Sequence, residues 1–154
     1  MEFQKIVSNP MLVGAIELMK ADPSPEHNSL LIKEMMNAKF MAPAMVDPAP
    51  VEDGNGVFKP VPGCKVQFPM LTAADGKRFL MAFTDKLEYQ KWKESENQSF
   101  VALSVAEYAG MILRKDSQAA GFVINPFGAN IVIPAPMLMQ IMTANMGGNK
   151  EEQE

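Results

Sequence analysis

The stretch from Lys65 to Trp92, KVQFPMLTAADGKRFLMAFTDKLEYQKW, constrains the fold more than any other, because two strand patterns, a turn and a helix start follow one another directly. Val66, Phe68 and Met70 alternate with Lys65, Gln67 and Pro69, the period of two that turns one strand face to a core and the other to water. Pro69 brings no N–H to a ladder, so this strand lies at a sheet edge, ends early or bulges there. Ala73-Ala74-Asp75-Gly76 supplies a turn, since glycine accepts positive φ and aspartate bonds its own following backbone. From Lys77 to Thr84 both faces are apolar, with Phe79, Met81 and Phe83 on one and Leu80 and Ala82 on the other. That pattern predicts a central strand covered on both sides. Asp85, with Glu88 three positions on, then caps a helix.

The flanking chain reads in the same terms. Asn9-Pro10 opens a helix that buries Leu12, Ala15, Ile16 and Met19, and Ser24-Pro25-Glu26 opens a second that buries Leu30, Leu31, Met35 and Ala38. Joined at Asp22-Pro23, the two form an antiparallel hairpin. Phe40 to Val46 predicts a strand interrupted by Pro43. Asp47 to Gly63, dense in proline, glycine and acids, is long for a connection inside a compact domain and predicts either a mobile or a functional loop. Phe100 to Leu103 is a short strand, and Ser104 with Glu107 makes a capping box for a helix that buries Val105, Ala109 and Ile112. Gly121 to Asn125 and Ile131 to Ile133 form a hairpin across Pro126-Phe127-Gly128-Ala129-Asn130. Pro134 and Pro136 start a last helix carrying Leu138, Ile141 and Met142, Gly147-Gly148 ends it, and residues 149–154 form a disordered acidic tail.

The order predicts one α+β domain over residues 1–148, a mixed or antiparallel sheet of about six strands with about five helices packed on it. A chain of 154 residues suffices for one independent core. Its net charge of −4 and scattered lysines and arginines argue against nucleic acid, which needs a concentrated basic face. No apolar run is long enough to span a bilayer and no signal-peptide core opens the chain, so a cytoplasmic setting without a membrane partner is expected. One cysteine, Cys64, excludes an intramolecular disulfide and any multi-cysteine metal site.

The combination of DGKRFLMAFTDKLEYQKW with AGFVINPFGANIVIP, behind a two-helix opening and a strand ending in a proline-rich loop, resembles the SseB N-terminal domain family, named for enhanced serine sensitivity protein B. Asp75-Gly76, Ala82-Phe83-Thr84, Trp92, and Gly121 with Val123-Ile124-Asn125-Pro126 carry the likeness, which runs from about Asn9 to Met142. It implies a bacterial α+β domain and brings no catalytic residues to carry over. Larger members add a C-terminal domain that this sequence, ending at Glu154, does not include.

No residue set predicts catalysis, a cofactor or a metal. His27 stands alone beside Glu26, Cys64 has no neighbouring base, and turn and cap roles account for Asp75, Asp85 and Glu88. Phosphate-loop, dinucleotide and nucleophile-elbow motifs do not occur. Methionine is the compositional oddity, with 14 residues. Most suit the core, but Met137, Met139 and Met146 cannot share one stripe with Leu138, Ile141 and Met142, which leaves apolar surface on the last helix. Two expectations follow. The first is a non-enzymatic interaction or regulatory module that meets a protein partner, or a second copy of itself, through Met137, Met139 and Met146. The second is an amino-acid-like metabolite site near Asn125, Pro126, Phe127 and Gly128, with residues 47–63 as its lid.

Overall fold

The computed structural model describes residues 2–153, and side chains through residue 144. Eleven strands and five α-helices follow the order β1 (Glu2–Phe3), α1 (Pro10–Ala21), α2 (Pro25–Met36), β2 (Phe40–Pro43), β3 (Met45–Asp47), β4 (Val51–Glu52), β5 (Phe58–Lys59), β6 (Lys65–Gln67), β7 (Met70–Thr72), β8 (Arg78–Ala82), α3 (Lys86–Gln90), β9 (Phe100–Leu103), α4 (Val105–Ile112), β10 (Gly121–Ile124), β11 (Ile131–Pro134) and α5 (Ala135–Gln153). The α+β class stands, while the strands exceed the expected number and fall into three sheets. Prolines account for part of the excess. The strand expected from Phe40 to Val46 divides at Pro43 into β2 and β3, and the one beginning at Lys65 ends before Pro69 and resumes as β7. β3 and β6 leave the main sheets to form a two-stranded ribbon.

One sheet runs β2-β9-β1-β5-β4, the other β11-β10-β8-β7. β8 is central as expected, parallel to β10 and antiparallel to β7. The sheets join where Met41 and Phe83 exchange N–H···O bonds of 2.8 and 2.9 Å. The alternation along β8 therefore serves two clusters. Leu80 and Ala82 enter the main core, whereas Met81 and Phe83 pack with Met41, Tyr89 and Trp92 on the other side.

Local capping rules hold where they are self-contained. The Ser24 hydroxyl accepts from the His27 N–H, the Asp85 carboxylate accepts from the Glu88 N–H, and the Ser104/Glu107 box closes in both directions. Asn9 departs from its expected role. Its side chain makes no cap bond and instead donates to the Lys39 and Thr84 carbonyls, both at 2.7 Å, tying the entry of α1 to the chain entering β2 and to the end of β8. The last helix also differs from expectation, because α5 continues through Gly147-Gly148 to Gln153.

The core centres on Phe40, Tyr108 and Phe122, with Tyr108 stacked on Phe122 at 4.8 Å between ring centroids. Tyr108 is fully buried and its hydroxyl donates to the Met81 carbonyl at 2.7 Å. Burial, reinforced by the neighbouring Glu107 charge, holds its phenol well above the ordinary value of 10.0, and burial pushes Tyr89 up to about 12. A pKa raised on folding adds stability that is complete below the unfolded value and is lost as pH rises past it. The domain is therefore expected to weaken steadily above pH 10, with tyrosinate absorbance appearing together with unfolding. Independent titration of both tyrosines near pH 10 in the folded state would contradict this.

Candidate functional site

A groove lies between α2 and α5, and its walls follow from helical periodicity. Residues three, four and seven positions apart line one side of a helix, and Met137, Gln140, Ile141 and Ala144 present that stripe from α5. Asn28, Ile32 and Met36 present the matching stripe from α2, bordered by Ser29, Lys33 and Asn37. Between them is an open groove of about 630 Å3. Its floor is apolar and its rim carries amides and a hydroxyl. Among the described residues Lys33 is the one charged side chain in the lining, and it makes no ion pair there.

The three methionines expected to form one surface do not come together. Met137 lines the groove, half-buried. Met139, two positions on and so about 200° around the helix, is 52% exposed and lines none of the grooves described here. The Met146 side chain lies outside the described residues. Ile32 and Met36 of α2 complete the groove, and nothing in a linear pattern says that this helix lies beside α5. Most other described methionines serve the core: Met35, Met41 and Met81 are buried, and Met19, Met70, Met111 and Met142 pack against buried clusters.

A second concavity of about 600 Å3 does lie beside the Asn125 turn. Val13, Ile16 and Glu17 of α1 line it together with Asp85, Leu87, Glu88 and Lys91, and with Asn125, Gly128 and Ala129 from the turn. It opens at the C-terminal ends of the parallel pair β8 and β10. Asn125 itself is consumed by structure. Only 4% exposed, it accepts from the Thr84 N–H and donates to the Thr84 hydroxyl, both at 3.0 Å. Phe127 is half exposed and stacks on Phe83. Residues 47–63 line no part of this concavity. They hold β4 and β5, which extend the other sheet through the pair Phe3 and Phe58, so the lid expected of this segment is corrected to a hairpin anchored elsewhere.

The remaining chemistry candidates occupy structural positions. The His27 Nδ1 lies 2.6 Å from the Asp22 carbonyl oxygen, at the junction of the helical hairpin. Cys64 is partly exposed, Glu88 pairs with Lys91, and Asp85 is the α3 cap. Among the described residues no three His, Cys, Asp or Glu side chains gather as a metal site, and no helix is long and apolar enough to cross a membrane.

Compared with known protein families, residues 12–140 match the SseB protein N-terminal domain. The chain belongs to this family. No curated protein and no solved structure matches it. The SseB match reaches from the first turn of α1 into α5, and so takes in β8, Trp92, the Asn125 turn and both grooves up to Gln140.

Proposed function

We propose that this SseB-family domain is a non-enzymatic interaction module that holds an apolar partner segment in the α2–α5 groove. The observation carrying this reading is the facing of two helical stripes, Asn28-Ile32-Met36 and Met137-Ile141-Ala144, with open space between them. An amphipathic helix laid in such a groove places anchors at three- and four-residue spacing against the floor. Lys33 favours a partner carrying a carboxylate on the flank of its apolar stripe.

The test is selection of binding peptides from a random library, followed by amide chemical-shift mapping. Peptides rich in apolar and acidic residues should perturb residues 28–37 and 137–144. Ala144→Glu, on the exposed groove wall, should weaken binding by about tenfold or more, equivalent to about 1.4 kcal/mol. Met139→Glu, on the other side of α5, should leave binding unchanged. Perturbations that miss both helices, or loss caused by Met139→Glu alone, would defeat the reading.

A second reading is kept because the concavity beside Asn125 exists: a small metabolite, amino-acid-like in size, bound between α1 and the β10–β11 turn. Free amino acids titrated into the same labelled protein would then shift Val13, Asn125 and Gly128, leaving residues 28–37 unmoved.

A further inference from the structure

We propose that the Asn55-Gly56 peptide is a site of spontaneous deamidation, and that its product opens the β4–β5 hairpin. The proposal is independent of either groove. The reaction needs a side-chain carboxamide free to fold back on the next residue's amide nitrogen, and a following residue without a side chain to obstruct it. Asn55 is the one asparagine in the chain followed by glycine. Residues 51–57 are all exposed, so water and base reach the turn.

Hydrogen bonding decides which of the three acid- or amide-glycine steps in the chain is poised to react. At Asp53-Gly54 the carboxylate Oδ1 is engaged, accepting the Asn55 N–H at 2.9 Å and the Val57 N–H at 3.3 Å. At Asp75-Gly76 both partners are engaged: Oδ1 accepts the Lys77 N–H at 3.0 Å, and the Gly76 N–H donates to the Ala73 carbonyl at 2.9 Å. At Asn55-Gly56 neither the carboxamide nor the Gly56 N–H has a hydrogen-bond partner among the described residues. Gly56 sits at φ +81°, and a Cβ placed there would meet nothing within 4 Å, so the turn is open on that side of Gly56.

The chemistry balances without oxidant or reductant. The Gly56 nitrogen gives up its proton to solvent base and attacks the Asn55 Cγ. A C–N bond closes a five-membered succinimide, and the side-chain nitrogen leaves as ammonia with a proton from water. Water then opens the ring at either carbonyl, giving aspartate or isoaspartate. Each product adds one negative charge. Isoaspartate also routes the backbone through Cβ, one carbon longer, inside the residues 53–57 that close the pairs Val51–Lys59 and Glu52–Phe58. The Asp53 carboxylate cannot then bridge residues 55 and 57 as it does now, so the hairpin loses its closing bonds.

The experiment is prolonged incubation of the purified protein in mildly alkaline and mildly acidic buffer, with peptide mapping by mass spectrometry and fragmentation that separates aspartate from isoaspartate. The Asn-to-Asp mass increment should accumulate at Asn55, faster in alkali, while the other asparagines stay intact. Asn55→Gln should abolish it. Hydrogen exchange should show lost protection across residues 51–59 in the isoaspartate fraction, whereas Asn55→Asp, which adds the same charge without lengthening the backbone, should keep it. An intact Asn55, or deamidation spread evenly over the asparagines, would overturn the site. Retained protection in the isoaspartate fraction would overturn its consequence.

Discussion

Adding one methyl group at Gly121 is expected to destabilise the domain by upwards of about 3 kcal/mol. A Cβ there would stand 2.2 Å from the Ile133 carbonyl oxygen and 2.8 Å from the Pro134 Cα. Both are backbone atoms of β11, so no side-chain rotation relieves the clash. The strands cannot part locally either, because Gly121 faces Pro134 between the bond from the Ala135 N–H to the Ala120 carbonyl at 2.8 Å and the Phe122–Ile133 pair. α5 begins at Ala135, so moving β11 also moves the helix that walls the α2–α5 groove. Gly110 provides the internal control. It lies exposed in α4 with nothing within 4 Å of a Cβ, so Gly110→Ala should stabilise by about 0.5–1 kcal/mol. Urea unfolding of both variants decides the matter, and a Gly121→Ala variant within about 1 kcal/mol of wild type would show that the strands yield more easily than this geometry allows.

What could be read in advance was what neighbouring residues decide among themselves. The alternation along β8 survives because both its faces are buried, and the Ser104/Glu107 box survives because its donors and acceptors lie within one turn. Nonlocal partners defeated the same logic elsewhere. Asn9 has the right type for a cap, yet carbonyls at Lys39 and Thr84 compete for its amide and win. Tyr108 shares the buried face of Val105, Ala109 and Ile112, where a phenol needs a partner, and that partner is a β8 carbonyl 27 residues away. β1, β4 and β5 are two-residue strands with no period to detect, and only their pairing defines them. At the grooves, the apolar surplus of the last helix was legible, but its direction was not. Met137 and Met139 are equivalent in composition, and α2 alone makes one of them a groove wall.

Asn125→Ala is expected to cost about 3–5 kcal/mol, the sum of an orphaned buried donor, a lost side-chain bond and a strained backbone. The Thr84 N–H, fully buried, donates to the Asn125 Oδ1, and alanine offers it nothing. The Thr84 hydroxyl keeps its bond to the Asp85 carboxylate at 2.8 Å but loses the donor from Nδ2. Asn125 also sits at φ +50°, a left-handed conformation that asparagine tolerates and alanine resists. Its backbone oxygen meanwhile accepts from the Gly128 and Asn130 N–H groups, so the whole turn depends on that conformation. Asn125→Gly separates the contributions. Glycine relieves the left-handed strain while still lacking the side chain, and should recover about 1 kcal/mol relative to alanine. For a domain of this size, 4 kcal/mol corresponds to a midpoint lowered by roughly 8–16 °C. Calorimetry on the two variants would show it, and a midpoint within about 3 °C of wild type for Asn125→Ala would mean that backbone bonds and packing hold the turn without the Asn125 side chain. The same measurement bears on the groove beside the turn: if stability depends on Asn125 this strongly, that residue's identity is explained by the fold, and a bound metabolite would have to be recognised by Val13, Glu17, Leu87 and Lys91 instead.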